Sequence, residues 1–177
     1  MSDLLKNIIR FALFVLLQVF VLAKVPPLHR FIVPYLYFLF ILWLPFKMPR
    51  PGIMLLSFLL GLSLDMFMKT PGLHAAACTL IGYLRPFIIG ILMPKEATEI
   101  SYAEPSITSM GFLPYIVYIL VLTFIHHAYL VLLEWIQFGN FWYYLGKVFA
   151  TTVISILLIL ITEMLFQRKG RYRTNVA

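Results

Sequence analysis

Charged residues are scarce in this sequence, and their scarcity excludes most classes of soluble protein. Of the 177 residues, 12% are charged and 62% are hydrophobic, and the mean hydropathy is +0.95. Soluble domains carry about 25% charged and about 45–50% apolar residues, so this chain has too few charges to cover a surface in water. We therefore predict an integral membrane protein rather than a soluble enzyme or a disordered chain.

Cysteine and the usual catalytic motifs are also scarce or missing. Cys78 is the single cysteine, so the chain can form no internal disulfide. The sequence contains no H-E-x-x-H zinc pair, no G-x-S-x-G elbow and no paired carboxylates at a usable helical spacing. We therefore predict that the protein is not an enzyme and that it binds no metal and no cofactor.

Six apolar runs can be interpreted as membrane spans. Crossing the hydrocarbon takes about 20 mostly apolar residues as a helix. The runs are continuous rather than alternating, so they predict an all-α bundle of six transmembrane helices and not a barrel. The second run contains Pro34 near its start, a position that the first turn of a helix tolerates. The predicted spans are 5–24, 31–46, 53–69, 72–93, 111–134 and 145–166.

The basic residues predict how the bundle is oriented. With the N-terminus inside, nine Lys and Arg residues lie on the inner side and four on the outer side, as expected from the excess of positive charge in cytoplasmic loops. An even number of spans then places both termini in the cytoplasm. We predict one transmembrane domain over residues 1–166 and a basic cytoplasmic tail over 167–177, which contacts anionic lipid headgroups rather than nucleic acid.

The third span carries a carboxylate on a face of small side chains. Ser57, Gly61 and Asp65 recur every four residues, so they share one face of the helix. The link to the fourth span is short, so the two spans form a tight hairpin that brings Asp65 near His74. The imidazole of His74 or the free amides at the start of the fourth helix would then donate to Asp65. A proton or substrate site is the alternative, but we favour a polar clasp that fixes the turn.

The fourth span adds small residues and a cation. Gly82 belongs to a row of small residues and proline at every fourth position, and Arg85 lies roughly 19 Å past the turn. Arg85 is therefore too far from Asp65 for a direct pair, and Glu163 in the last span is a better-placed partner. Carbonyl groups freed by Pro86, or a lipid phosphate, are the alternatives.

The fifth span carries two adjacent histidines. His126 and His127 point about 100° apart on a helix, so they cannot chelate one metal as an i, i+4 pair would. A metal site or a proton relay would need partners from other helices. We favour helix contacts as their role, and the same interpretation applies to Gln18 in the first span.

The hairpin resembles the hallmark region of a known family, the rod shape-determining membrane protein MreD. That family shows a glycine, an aspartate four residues later, a short turn, and then a glycine followed by a helix of small residues. Gly61, Asp65, Gly72 and His74 occupy the matching positions, and the His-Ala-Ala and Leu-Arg-Pro triplets are similar to the version found in Bacteroidetes. Lys69 is a departure, because the family often has glycine at this position.

The resemblance implies a non-enzymatic scaffold of the lateral cell-wall elongation machinery, in the bacterial inner (cytoplasmic) membrane. It implies contact with the bitopic protein MreC and, through it, with MreB, RodA and a wall transpeptidase. The family's bundle is also similar to the S-subunits of energy-coupling-factor transporters. Small-molecule or lipid transport through a cavity near Asp65, His74 and Arg85 is therefore the alternative function. The candidate structural and partner-contact residues are Ser57, Gly61, Asp65, Gly72, His74, Gly82, Arg85 and Glu163.

Overall fold

The computed structural model describes residues 3–25, 33–93, 104–136 and 140–166, and every regular element in those ranges is helical. The predicted tail and the first part of the polar connection after the fourth span lie outside the described residues. The helices, in chain order, are α1 (Asp3–Leu16), α2 (Leu39–Leu42), α3 (Arg50–Met68), α4 (Leu73–Leu92), α5 (Ile107–Met110), α6 (Phe112–Trp135) and α7 (Phe141–Leu165).

Five helices are long and apolar enough to cross a membrane: α1 with its continuation to Lys24, α3, α4, α6 and α7. The predicted all-helical class is confirmed, and the helices agree with a multi-pass membrane protein. The largest difference in bounds is at α7, which begins at Phe141 rather than at residue 145. Asn140 explains this early start, because its side chain accepts hydrogen bonds from the amides of Trp142 and Tyr143 and caps the helix.

Side-chain contacts define two ends of the bundle. The turn between α3 and α4, at residues 69–72, marks the end that we call the hairpin end. The opposite end, where α7 finishes at Leu165, is called the tail end. Thr152 contacts His127, and Glu163 contacts Tyr115, so α6 and α7 run in opposite directions. Direction thus alternates through α3, α4, α6 and α7. The first helix runs parallel to α3, because Phe20 near the end of its continuation contacts Phe67 near the end of α3.

The second predicted span is not a long helix, and the sequence-based expectation was wrong on this point. Residues 33–46, which we call the core segment, contain only the four-residue helix α2, and the rest of their backbone is in turns or has no regular structure. Every side chain from Tyr35 to Leu44 is buried, with no more than 5% exposed. The core segment therefore passes through the interior of the bundle and does not form one of its outer helices.

Two prolines and the surrounding helices explain this conformation. Pro34 and Pro45 bracket residues 35–44, which as an α-helix would be about 15 Å long, half the hydrocarbon thickness of about 30 Å. Non-helical backbone at membrane depth is tolerated only where protein surrounds it. All five long helices contact the core segment and meet that condition.

Gln18 bonds the entrance of the core segment. Its Nε2 donates to the carbonyl of Pro34 and its Oε1 accepts from the amide of Leu36, each at 3.0 Å. Gln18 lies in a π-helical turn, Leu17–Val21, that continues α1 before a 3₁₀ turn at Leu22–Lys24. The predicted role of Gln18 as a contact residue thus corresponds to a contact with backbone, because a primary amide can serve a carbonyl and an amide at once.

Candidate functional site

Asp65 closes the turn between α3 and α4. Its Oδ1 accepts from the amide of His74 and its Oδ2 from the amide of Ala75, each at 2.9 Å, and Thr70 Oγ1 donates to Oδ1 at 3.0 Å. Of the two partners considered from the sequence, the free amides bind the carboxylate. A carboxylate at a helix N-terminus satisfies unpaired amides and faces the positive end of the helix dipole. We call this arrangement the hairpin clasp.

The small residues of α3 and α4 face each other inside the hairpin. A Cβ atom on Gly61 would overlap the carbonyl of His74 and the backbone of Ala75, and a Cβ on Gly82 would overlap the side chain of Ser57. Ser57 is fully buried and donates to the carbonyl of Ile53 at 2.7 Å. The small residues Ser57, Gly61 and Gly82 therefore pack within this chain, and their face is not available to a partner helix.

The turn itself uses two residues in the left-handed region. Lys69 ends α3 with φ of 57°, and Gly72 precedes α4 with φ of 83°. Glycine adopts such angles without steric cost, whereas other L-residues do so at a cost of about 1–2 kcal/mol. The glycine that the MreD family often has at the position of Lys69 would therefore fit this backbone.

His74 contacts the core segment through its ring. Its Nδ1 lies 2.7 Å from the hydroxyl of Tyr37, and the same hydroxyl lies 3.0 Å from Nε2 of His126. The three side chains come from α4, the core segment and α6, and each is no more than 1% exposed. Tyr37 therefore links two buried histidines that are far apart in sequence.

His127 occupies a separate position beside α7. Its Nδ1 lies 3.3 Å from Thr152 Oγ1, and its Nε2 lies 3.3 Å from Ser155 Oγ. Ser155 also accepts from the amide of Tyr35 at 3.3 Å, and the ring of Tyr35 stacks on the ring of His127. His126 and His127 thus face different neighbours, as the angle between adjacent helical positions predicts.

Arg85 bonds the end of the core segment near the tail end. Its guanidinium donates to the carbonyl of Leu44 and, from Nε, to the hydroxyl of Tyr118 at 3.0 Å. Tyr118 in turn donates to the carbonyl of Leu42 at 2.9 Å. Arg85 is only 1% exposed, so its guanidinium bonds the carbonyl of Leu44 and the hydroxyl of Tyr118 and not a lipid phosphate. We call this arrangement the arginine clasp.

Glu163 has other partners than the one predicted for it. Its Oε1 accepts from Trp43 Nε1 at 2.8 Å and from the hydroxyl of Tyr115. Among the described residues, the ion pairs are Arg10 with Glu104 at 2.7 Å, and Lys147 with Glu134. The predicted pair of Glu163 with Arg85 is therefore replaced, in this part of the chain, by bonds from each residue to the core segment and α6.

Several side chains of this polar interior were missed at the sequence level, among them Tyr37, Tyr118 and Ser155. Each bonds the core segment or belongs to it. Their signal in the sequence was weak, because Tyr and Ser are ordinary residues in apolar helices. Recognising the core segment as non-helical would have found them, since its unpaired backbone groups must have partners.

No group of three His, Cys, Asp or Glu side chains in the described ranges could hold a metal ion. Asp65 and Arg85 serve opposite halves of the bundle, and the 11 residues from His74 to Arg85 correspond to about 16 Å along α4. Of the three residues proposed to line one cavity, Asp65 and His74 are therefore close together, whereas Arg85 lies farther along α4. No family model, no curated protein and no solved structure matches this chain.

Proposed function

We propose that this protein is a non-enzymatic membrane scaffold of the MreD type, in the bacterial inner membrane. In this proposal it binds an MreC-like single-span protein and, through it, joins MreB, RodA and a wall transpeptidase in the machinery that maintains rod shape. The observation that carries the proposal is the hairpin clasp. Gly61, Asp65 and Gly72, the positions that carry the resemblance, each have a structural task in it.

The polar interior supports a scaffold rather than an enzyme. Asp65 and Arg85 are buried charges that elsewhere would suggest chemistry. Here both are engaged with backbone groups of this chain, and Glu163 is engaged with the side chains of Trp43 and Tyr115. Groups that already hold the fold together are poorly placed to bind and release a substrate.

Six crossings with both termini in the cytoplasm belong to the same proposal, with the core segment as the second crossing. Tyr37 contacts His74 near the hairpin end, and Leu44 contacts Arg85 nearer the tail end. The core segment thus returns the chain from the end of α1 to the start of α3. This return agrees with the surplus of basic residues on the inner side.

Partner helices would contact the outward faces of the long helices. The sequence suggested that the small residues of the hairpin contact a partner helix, but these residues are internal and shape the hairpin instead. In this proposal the partner contacts large apolar side chains on the outside of the bundle. Exposed side chains are available on three faces, with Tyr83 and Phe87 on α4, Phe124 on α6, and Val153 and Leu157 on α7.

The test is capture of the MreC-like protein of the same cell. A photo-crosslinking residue is placed at Tyr83, Phe124 or Leu157 in turn, and the purified products are identified by mass spectrometry. We expect crosslinks to the MreC-like protein from one or two of these faces and co-purification in mild detergent. Depletion of the chain should also convert rods to spheres. A folded chain that shows neither crosslinks nor co-purification would overturn the proposal.

Transport of the energy-coupling-factor type is the competing proposal, and one observation favours it. Polar atoms of Thr123 and His126 lie buried inside the bundle without hydrogen-bond partners in the described part of the chain. A ligand cavity at this place predicts that a transported solute raises the unfolding temperature of the purified protein. The absence of such stabilisation across candidate vitamins and lipids, together with MreC binding, would favour the scaffold.

A further inference from the structure

Thr123 and His126 hold two unsatisfied polar atoms in the interior. Thr123 Oγ1 and His126 Nδ1 are the buried side-chain atoms that lack a hydrogen-bond partner within the described ranges, and both residues are 0% exposed. They lie three positions apart on α6, so they are neighbours on one helix face. Buried polar groups almost always have partners, so this pair of atoms calls for a physical explanation.

His127 provides a matched contrast in the next position of the chain. It is buried to the same degree as His126, yet both of its ring nitrogens have hydroxyl partners, on Thr152 and Ser155. Burial alone therefore does not leave a histidine nitrogen unpaired in this bundle. The unpaired nitrogen of His126 is a property of its own surroundings.

The other ring nitrogen of His126 belongs to a continuous chain of hydrogen bonds. Its Nε2 lies 3.0 Å from the Tyr37 hydroxyl, which lies 2.7 Å from Nδ1 of His74. The hydroxyl of Tyr37 also interacts with the thiol of Cys78. Because a tyrosine hydroxyl has one proton, it accepts from one histidine whenever it donates to the other. The tautomers of His74 and His126 are therefore coupled: whichever ring donates to Tyr37 fixes the state of the other.

This coupling determines what His126 Nδ1 requires. When Nε2 of His126 donates to Tyr37, Nδ1 is an acceptor; when Tyr37 donates to Nε2, Nδ1 carries the proton and is a donor. A ligand that serves both states must donate and accept. Water does both, and buried waters typically make about three hydrogen bonds to groups that are otherwise unsatisfied.

We propose that Thr123 and His126 bind a buried water molecule, and that this water, His126, Tyr37 and His74 form a proton relay toward the hairpin end. A proton carried in by water enters at Nδ1 of His126, and the proton on Nε2 passes to the oxygen of Tyr37. The hydroxyl proton of Tyr37 passes to Nδ1 of His74, and the proton on Nε2 of His74 leaves to water. One proton enters, one leaves, and each imidazole changes tautomer.

The relay is tested by nuclear magnetic resonance on the full chain in lipid bilayers, with ¹⁵N-labelled histidine. Magnetisation transferred from water should reach the ring nitrogens of His126 and not those of His127. The ¹⁵N shifts should also show both neutral tautomers at His126 and His74, and one tautomer at His127. Equal water signals at His126 and His127 would overturn the water site. A single fixed tautomer at His126 and His74 would overturn the relay.

Two variants separate the parts of the proposal. Thr123→Val keeps the shape of the side chain and removes the hydroxyl, so the water signal at His126 should fall by at least half while that of His127 stays unchanged. Tyr37→Phe removes the hydroxyl that contacts both rings, so the water signal at His126 should stay unchanged. The tautomer ratios of His74 and His126 should then become independent of each other. If Tyr37→Phe does not fold, Thr123→Val alone decides: an unchanged water signal at His126 would contradict the site. Neither result depends on MreC binding.

Discussion

The hairpin clasp and the arginine clasp solve the same problem with opposite charges. Asp65 and Arg85 are both buried, and a buried charge is costly unless hydrogen bonds compensate its lost hydration. Asp65 accepts from amides at the start of α4, whereas Arg85 donates to the carbonyl of Leu44 just after α2. Asp65 therefore meets the positive end of a long helix, whereas Arg85 meets a single backbone carbonyl of the core segment.

The two clasps differ in how far along the chain they reach. Asp65 contacts amides nine and ten positions away, while Arg85 contacts a carbonyl 41 positions away. The hairpin clasp can form as soon as α3 and α4 are paired. The arginine clasp can form only when the core segment is in place, so it reports on the assembly of the whole bundle.

Replacing Arg85 should give the largest effect, because it breaks the long-range clasp. Arg85→Met leaves the buried carbonyl of Leu44 without this donor and removes one hydrogen bond from Tyr118, which keeps its bond to Leu42. A buried group left unsatisfied costs roughly 1–3 kcal/mol. We expect a loss of about 3 kcal/mol in the free energy of unfolding, measured by denaturant titration in mixed micelles.

Arg85→Lys is the matched control for that variant. Lysine keeps the charge, but it lacks the planar fork that reaches Leu44 and Tyr118 together, so its loss should be smaller, about 1–2 kcal/mol. If Arg85→Met were as stable as the natural protein, the arginine clasp would contribute nothing beyond the cost of burying the cation.

Replacing Asp65 should give an intermediate effect, because the hairpin clasp is local and lies at a turn. Asp65→Ala removes the acceptor for two amides and for Thr70, and we expect a loss of about 2 kcal/mol, within the range for lost helix caps. Ser63→Ala on the same helix is the control, expected to change stability by less than about 0.5 kcal/mol. Equal effects from the two variants would show that the clasp is dispensable.

Lys69 should give the smallest effect, and in the opposite direction. Its left-handed backbone, with φ of 57°, suits glycine, so Lys69→Gly should stabilise the hairpin by about 1 kcal/mol. Gly72→Ala is the reciprocal control, since the φ of 83° at that position penalises a side chain. Destabilisation by Lys69→Gly would mean that the lysine side chain contributes more than its backbone conformation costs.

The sequence was sufficient for the local features of the fold. All five long helices, with α1 counted to Lys24, lie close to predicted spans because hydrophobic length alone identifies such helices. The closeness of Asp65 to the start of α4 could also be predicted, because a short linker fixes the geometry of a hairpin. In both cases the information lies within about 20 neighbouring residues.

The core segment could not be predicted in the same way. An apolar run with proline near its start is compatible with a helix, and only the partners of its backbone decide otherwise. Those partners, among them Gln18, Ser155 and Arg85, come from three different helices. The partner of Arg85 was missed for the same reason: the prediction named Glu163 first and carbonyls freed by Pro86 as an alternative, whereas the structure supplies the carbonyl of Leu44 in the core segment.

The enclosed position of the core segment has a consequence for synthesis and insertion. Residues 33–46 leave the ribosome before α3, α4, α6 and α7, the helices that provide most of their surroundings. Until those helices arrive, unpaired backbone groups would face lipid, which is costly. The segment must therefore wait outside the hydrocarbon, or in a temporary helical form, until the later helices close around it. Truncation after α4 should consequently yield a product that membrane quality control degrades.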